Sequence, residues 1–410
     1  MKYVESGSGK IPLITLLAIL SISLTINLPG LAVSPMLGKL RHVFNSTELE
    51  SQMLTSLPNL IMIPVVLLAG KLSTPRRQTA ILCTGLSIFF VAGLASIFAD
   101  SMWLLIVLGC AVGVGCGLVV PIAAGIISEW ISGPERQSDL GLKSTASNSM
   151  VIVANLFVGS IVIVNWHAAF AVYLIPIIPL CLMPFMTRRY ILAHRVEKAP
   201  AEVKSSSVPA IYAHIDHSKS TSMLIMLIVL YMILTYATTS ISYYAPFVME
   251  KYGMGTTEVG IVTAAYYFMV AVTGAFVDKL KRIIGKSSII ICLGLVACSL
   301  IVMGYTHSYV VMLIFSLLTG FGYGIIQPII YDKTTYVAPT PKLGMTYFGY
   351  VLSANYMAIM MVPFVDSFFR KLFNAGSPGF EFVFSGVVAA ALLVWSIIER
   401  RNYIFTTVTH

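Results

Sequence analysis

Charge is what this chain has least of. Asp, Glu, Lys and Arg together make up 10% of its 410 residues, against 57% hydrophobic residues and a mean hydropathy of +0.87. Soluble domains carry about 25% charged residues, so there is too little charge here to cover a surface facing water. Cysteine is scarce as well. Cys83, Cys110, Cys116, Cys181, Cys292 and Cys298 all sit inside apolar runs. That placement suits small packing residues and excludes a disulfide framework or a cysteine metal site. Catalytic signatures are missing too: no metal-ligand spacing, no Gly-rich phosphate loop followed by Lys and Ser or Thr, and no nucleophile elbow. These absences exclude an ATP-driven pump within this chain. They also leave an enzyme, a metal site or a bound cofactor unsupported.

What the chain does have is a succession of apolar runs, each long enough to cross a hydrocarbon layer of about 30 Å. Twelve are read: Pro12–Ser34, Ser51–Leu72, Ala80–Phe98, Met102–Ile127, Leu140–Val164, Ala168–Met186, Thr221–Val248, Glu258–Val277, Ser287–Tyr305, Tyr309–Tyr331, Leu343–Pro363 and Phe382–Ile398. They are continuous rather than alternating, so they are helices, the only open-ended element that satisfies its own backbone in lipid. The first run is too long for a signal-peptide core and no small-residue cleavage pattern follows it, so it is read as span 1.

The net charge of +9 is explained by orientation rather than by nucleic acid. With the N-terminus inside, 21 of the 26 Lys and Arg fall in inner segments, and only Lys39, Arg41, Lys251, Arg370 and Lys371 in outer ones. The positive-inside rule then places both termini in the cytoplasm of a bacterial inner membrane. The longest polar interruption, 187–220, is basic and divides the spans into six and six, giving bundles over 1–186 and 221–410. It reads as a cytoplasmic linker, with a surface helix on anionic lipid as the alternative. His214 and His217 within it are solvated residues rather than a metal pair.

The two halves repeat a motif. Gly113-Val-Gly-Cys-Gly117-Leu-Val-Val-Pro121 and Gly320-Phe-Gly-Tyr-Gly324-Ile-Ile-Gln-Pro328 share G-x-G-x-G-x-x-x-P at an offset of 207 residues, which also carries Asn148 onto Asn355. Related halves in a membrane chain are the architecture of secondary transporters, with a midplane site between them. The glycines are expected to thin one side of spans 4 and 10, so that helices approach and slide. Pro121 and Pro328 are expected to bend both spans at the same height. Gly117, Pro121, Gly324 and Pro328 are therefore candidate flexing points.

Three loop signatures resemble the major facilitator superfamily. Gly274-Ala-Phe-Val-Asp278-Lys-Leu-Lys-Arg282 is similar to the family's cytoplasmic loop motif, and Gly70-Lys-Leu-Ser-Thr74-Pro-Arg-Arg77 is its first-half counterpart, with Thr74 where the aspartate belongs. Asn165-Trp-His-Ala-Ala-Phe170 resembles W-r-x-x-F with His167 for the arginine, and Gly133-Pro-Glu-Arg136 with Gly141 resembles the loop between spans 4 and 5. The chain departs from the family in lacking an arginine near the start of span 4 and the glycine-proline signature of drug–proton antiporters in span 5. The resemblance implies a twelve-helix fold of two pseudo-symmetric six-helix bundles, a monomer, and alternating access gated at Gly70, Gly274, Asp278 and Arg282. It also implies cavity walls from spans 1, 4, 7 and 10.

No charged side chain lies near the centre of any span. Glu129, Asp278 and Asp332 fall near inner ends, and Glu258 and Asp366 near outer ends. A central ligand would meet neutral groups, which disfavours phosphate or a dicarboxylate. Asn27, Asn148, Gln327 and Asn355 are buried amides that serve either as interhelical glue or as ligand contacts. Tyr236, Tyr266, Tyr267, Tyr323 and Tyr356 lie too deep for the interfacial belt and suit an amphipathic or aromatic solute. The expectation is a lipid-embedded secondary carrier of a small organic solute, with a proton as coupling ion and Glu129, Asp278, Asp332, Glu258, Asp366, His167 and His42 as protonatable groups. Multidrug efflux, uncoupled facilitation of a neutral metabolite, and a membrane receptor remain the alternatives.

Overall fold

A computed structural model describes residues 3–6, 9–72, 77–130, 135–187, 196–197, 220–338, 341–400, 402 and 404–405. Side chains are described for these except 3–11, 70–71, 124–130, 135–146, 196–197, 278, 335–336 and 341–345. Inner and outer ends are named by the orientation expected from the charge asymmetry.

The chain is a helical membrane protein. Helix 1 spans Leu13–Val43, helix 2 Glu48–Leu72, helix 3 Gln78–Ser96 and helix 4 Met102–Trp130. Helix 5 is Glu135–Ile161, and helix 6 is a chain of short helical and 3-10 turns over 166–186. Helix 7 is Ser220–Lys251, helix 8 Thr256–Ala275 and helix 9 Ser288–Tyr305. Helix 10 is Tyr309–Val337, helix 11 Pro341–Leu372 and helix 12 Phe380–Ile398. Ten of these are long and apolar enough to cross a membrane, and the shorter apolar stretches Ser147–Ile161 and Trp166–Cys181 take the fifth and sixth places. Large apolar side chains such as Phe98, Trp103, Val164 and Ile398 are exposed, as a lipid-facing surface requires. At the inner end, strands Tyr3–Ser6 and Gly9–Pro12 form an antiparallel hairpin that also pairs with Val196–Glu197.

Several helices run past the apolar limits expected of them. Helix 11 continues through Pro363 to Leu372, and helix 2 begins at Glu48 rather than Ser51. Helix 7 starts at Ser220, one residue before the expected second bundle, and ends at Lys251. The added outer turns carry charges of both signs that pair with one another, so the helix continues where a hydropathy window stops.

The internal symmetry is visible in packing. A Cβ on Gly113 would meet the Pro58 carbonyl oxygen at 2.5 Å and one on Gly117 the Val65 Cβ at 2.9 Å, both on helix 2. Their repeat mates Gly320 and Gly324 press on Tyr266 and Val270 of helix 8. The middle glycines point elsewhere: Gly115 onto Gly85 of helix 3 and Gly322 onto Cys292 and Val296 of helix 9. The expectation that the glycines thin one side is corrected here. Residues four apart share a helix face while the one between them lies on the other side, so each triplet clamps two neighbours. Pro121 and Pro328 lie inside continuous helices.

Candidate substrate site and outer seam

Helix 1 is broken in the middle. It is helical over Leu13–Ser23 and again over Leu28–Leu31, with turns at 24–27 and a 3-10 turn at Ser34–Met36 before Leu37–Val43. Pro29 and Pro35 deny the helix two backbone donors. Carbonyls freed at membrane depth need partners, and neighbouring helices supply them. Ser147 of helix 5 donates to the Ser23 carbonyl (2.8 Å), the Cys116 thiol of helix 4 to that of Ile26 (3.2 Å), and the Tyr173 hydroxyl of helix 6 to that of Pro29 (3.2 Å). Asn27 is therefore not a mid-helix residue as expected. It is the half-buried residue that starts the second segment. Asn148 is buried next to Ser147.

Across from the break, the second half gathers phenols around one amide. Gln327 Nε2 lies 2.9 Å from the Tyr231 hydroxyl, 3.2 Å from that of Tyr323 and 3.2 Å from that of Tyr331. The Tyr231 hydroxyl is also 2.7 Å from that of Tyr331. Tyr323 continues the cluster to Tyr266, with ring centroids 6.2 Å apart, and Tyr266 to Tyr267 at 4.8 Å. Tyr267 shares a 2.9 Å hydrogen bond with Ser242. Thr235 donates to the Asn355 side-chain oxygen at 3.0 Å, which joins helices 7 and 11. Tyr356, one residue on, is buried on the same helix. Tyr236 stands apart: its hydroxyl donates to the Asp366 carboxylate.

Tyr231 and Tyr331 belong to this cluster although they are not among the deep tyrosines that the sequence singles out. The signal that could have found Tyr331 is spacing, since Tyr323, Gln327 and Tyr331 recur every four residues and therefore share one face of helix 10. Tyr231 carries no such local signal and is placed by the packing of helix 7 against helix 10.

The halves meet along helix 2 with helix 11 and helix 5 with helix 8. At the outer end they are joined by charges. Glu48 of helix 2 receives Arg41 at 3.1 Å, Lys251 at 3.3 Å and Arg370 at 3.5 Å. Arg370 also pairs with Glu381 at 2.8 Å, and Glu250 receives His42 at 2.7 Å and Arg41 at 3.9 Å. Ser34 donates to the Ser242 carbonyl, and Gln52 to that of Tyr243 at 3.4 Å. An isolated exposed ion pair contributes about 0–1 kcal/mol; a cluster of seven side chains from both halves holds a geometry. Asp366 was expected near the outer end of its span and is fully buried in helix 11. His167, in the place of the family's arginine, donates from Nδ1 to the Ile97 carbonyl (2.9 Å), with its Nε2 3.9 Å from Asp100.

The inner gating residues are only partly described. Gly274 lies in helix 8 with the Gly324 carbonyl 3.9 Å from where its Cβ would be, and Arg282 is exposed on the short helix Val277–Ile284. The side chains of Asp278, Glu129 and Arg136, the contacts of Gly70, and Gly133, Thr74, His214 and His217 lie outside the described residues. Among the described residues there is no group of three or more His, Cys, Asp or Glu able to hold a metal ion.

Comparison with known proteins follows this geometry. The sequence pattern of the Major Facilitator Superfamily matches residues 13–363. Among solved structures the fold resembles a D-xylose-proton symporter, at TM-score 0.68 and 16% identity, covering 93% of this chain and 96% of that one. It also resembles a POT family transporter in complex with a thioalcohol-conjugated peptide (TM-score 0.69, 14% identity, 94% and 96% covered). A mutant peptide transporter POT in complex with sulfate superposes at TM-score 0.71 and 12% identity, with 95% of each chain covered. No curated protein matches in sequence. A family match over most of the length, on a fold of paired six-helix bundles whose glycine repeats pack alike, makes this chain a transporter of the Major Facilitator Superfamily.

Proposed function

We propose that this protein is a proton-coupled secondary carrier of a small, amphipathic organic solute, held at the midplane between the halves. The observation that carries the reading is the Gln327 amide set among the hydroxyls of Tyr231, Tyr323 and Tyr331. In the other half, the broken segment of helix 1 is held by Cys116 at the Ile26 carbonyl. Phenols offer apolar area with a hydrogen-bonding tip, and an amide both donates and accepts. A ligand with a ring or short apolar body and one or two neutral polar groups matches both. Asn355, Asn148 and Asn27 stand at the margins of this site as further contacts. Inside the lipid, the described charges collect at the ends of the helices, which speaks against a strongly charged substrate.

The outer ends of the halves are held together by the Glu48 cluster, so this conformation is closed on that side. Both termini belong on the cytoplasmic face of a bacterial inner membrane. Gly274, Asp278 and Arg282 are assigned to the inner gate that closes when the outer cluster parts.

A thermal-stability screen in detergent tests the reading, because a ligand that binds only the folded state raises its melting temperature. Aromatic or amphipathic neutral solutes should stabilise the wild type and fail to stabilise Gln327→Leu. Stabilisation of both proteins alike would remove the cluster from the binding site.

A further inference from the structure

A buried carboxylate lies away from the substrate cluster. Asp366 is fully buried in the outer third of helix 11. Its Oδ1 accepts the Tyr236 hydroxyl, and its Oδ2 is buried beside the Tyr244 hydroxyl. Tyr244 interacts electrostatically with the same carboxyl. The groups facing Asp366 are therefore Tyr236 and Tyr244 from helix 7, Glu381 from helix 12 and Arg370 one turn along its own helix. Arg370 is already committed, to Glu381 at 2.8 Å, to Glu48 at 3.5 Å and to the Ser377 carbonyl at 2.7 Å. In the whole outer cluster Arg41, Lys251 and Arg370 stand against Glu48, Glu250, Glu381 and Asp366, three fixed cations for four carboxyls.

We propose that Asp366 is the proton-binding site of this carrier, and that closing the outer seam takes up one proton there. The inference rests on the reading of the protein as proton-coupled and adds the residue and the step. A proton on Oδ2 converts the carboxylate to an acid whose O–H donates to the Tyr244 oxygen, while Oδ1 continues to accept from Tyr236. The cluster then sets three cations against three carboxylates. Loss of that proton leaves a carboxylate without a cation beneath a sealed surface, a costly arrangement in a membrane interior. Parting of the outer ends restores water to it. Glu381 differs from Asp366 in having a cation, Arg370, at 2.8 Å, whereas no ion pair among the described residues reaches Asp366. His42 competes for the role, since its ring sits on Glu250 at the rim.

Spin labels on cysteines placed at Val43 and Lys371, exposed outer residues of the two halves, report the seam by their separation in the full-length protein in nanodiscs. The wild type should shift from a short to a long separation as the buffer passes from mildly acidic to mildly alkaline. Asp366→Asn should give the short separation throughout. Asp366→Glu, which keeps an ionisable group, should restore the shift, and Tyr244→Phe should move its midpoint. His42→Gln should respond as the wild type does. A wild-type pH response in Asp366→Asn, or its loss in His42→Gln, overturns the assignment of Asp366. A separation in the wild type that ignores pH overturns proton coupling itself.

Discussion

Gly159 of helix 5 and Gly260 of helix 8 meet backbone to backbone across the seam between the halves. A Cβ on Gly159 would lie 3.0 Å from the Gly260 Cα and 2.8 Å from the Thr256 carbonyl oxygen. Thr256 and Thr257 each donate to the Gly159 carbonyl at 3.2 Å. The contact lies toward the outer end of the seam. Gly159→Val should wedge the outer ends apart, so a cysteine at the buried Val259 should react faster with an external maleimide than it does in the wild type. An unchanged labelling rate would show that closure does not need this approach.

The break in helix 1 depends on borrowed donors. Tyr173→Phe removes the hydroxyl that serves the Pro29 carbonyl and leaves a buried acceptor unmet, at a cost of about 1–3 kcal/mol. Cys116→Val should act similarly at Ile26, whereas Cys116→Ser retains a donor and should be milder. Melting temperatures of the purified variants give the ranking directly.

The repeat predicts paired effects. Gly117→Leu and Gly324→Leu each force a side chain against helix 2 or helix 8, and overpacking of this kind costs about 1–3 kcal/mol. Both variants should lose transport at normal expression, to a similar extent. Because the packing locks these glycines within each half, the loss should come with lowered stability. Loss of transport at unchanged melting temperature would instead favour a flexing role for Gly117, Pro121, Gly324 and Pro328.

Arg370 is the one cation reaching Glu381, which is 2% exposed, among the ion pairs of the described residues. Arg370→Ala strands that carboxylate, and breaking a buried pair costs about 3–5 kcal/mol. Adding Glu381→Gln to the same protein should recover part of the stability, which a thermal double-mutant cycle measures. Additive losses would show that the two side chains do not depend on each other.

Much of this architecture was legible in the sequence, because hydrocarbon imposes long continuous apolar runs and the glycine repeat marks equivalent helices. Gln327 and Tyr323 could be singled out for the same reason: a polar residue at that depth needs an explanation. The break at 24–27 was not legible. Pro29 and Pro35 hint at it, but prolines are also tolerated inside continuous spans here, as Pro121 and Pro328 are, and the donors that stabilise the break, Cys116, Ser147 and Tyr173, come from three other helices. The outer cluster was hidden differently. Arg41, Lys251 and Arg370 read as outer charges that set orientation, and nothing local shows that they converge on Glu48 across the seam. Asp366 had the right height, but its burial and its tyrosines are products of packing.

The central claim is coupled transport, and reconstitution tests it most directly. Proteoliposomes are loaded with a solute that stabilises the protein, and its flux is followed with and without an imposed pH gradient. The account predicts protein-dependent flux that drives the solute against its own gradient and stops when a protonophore collapses the pH difference. Flux equal to that of protein-free liposomes, or accumulation indifferent to the pH gradient, would contradict it.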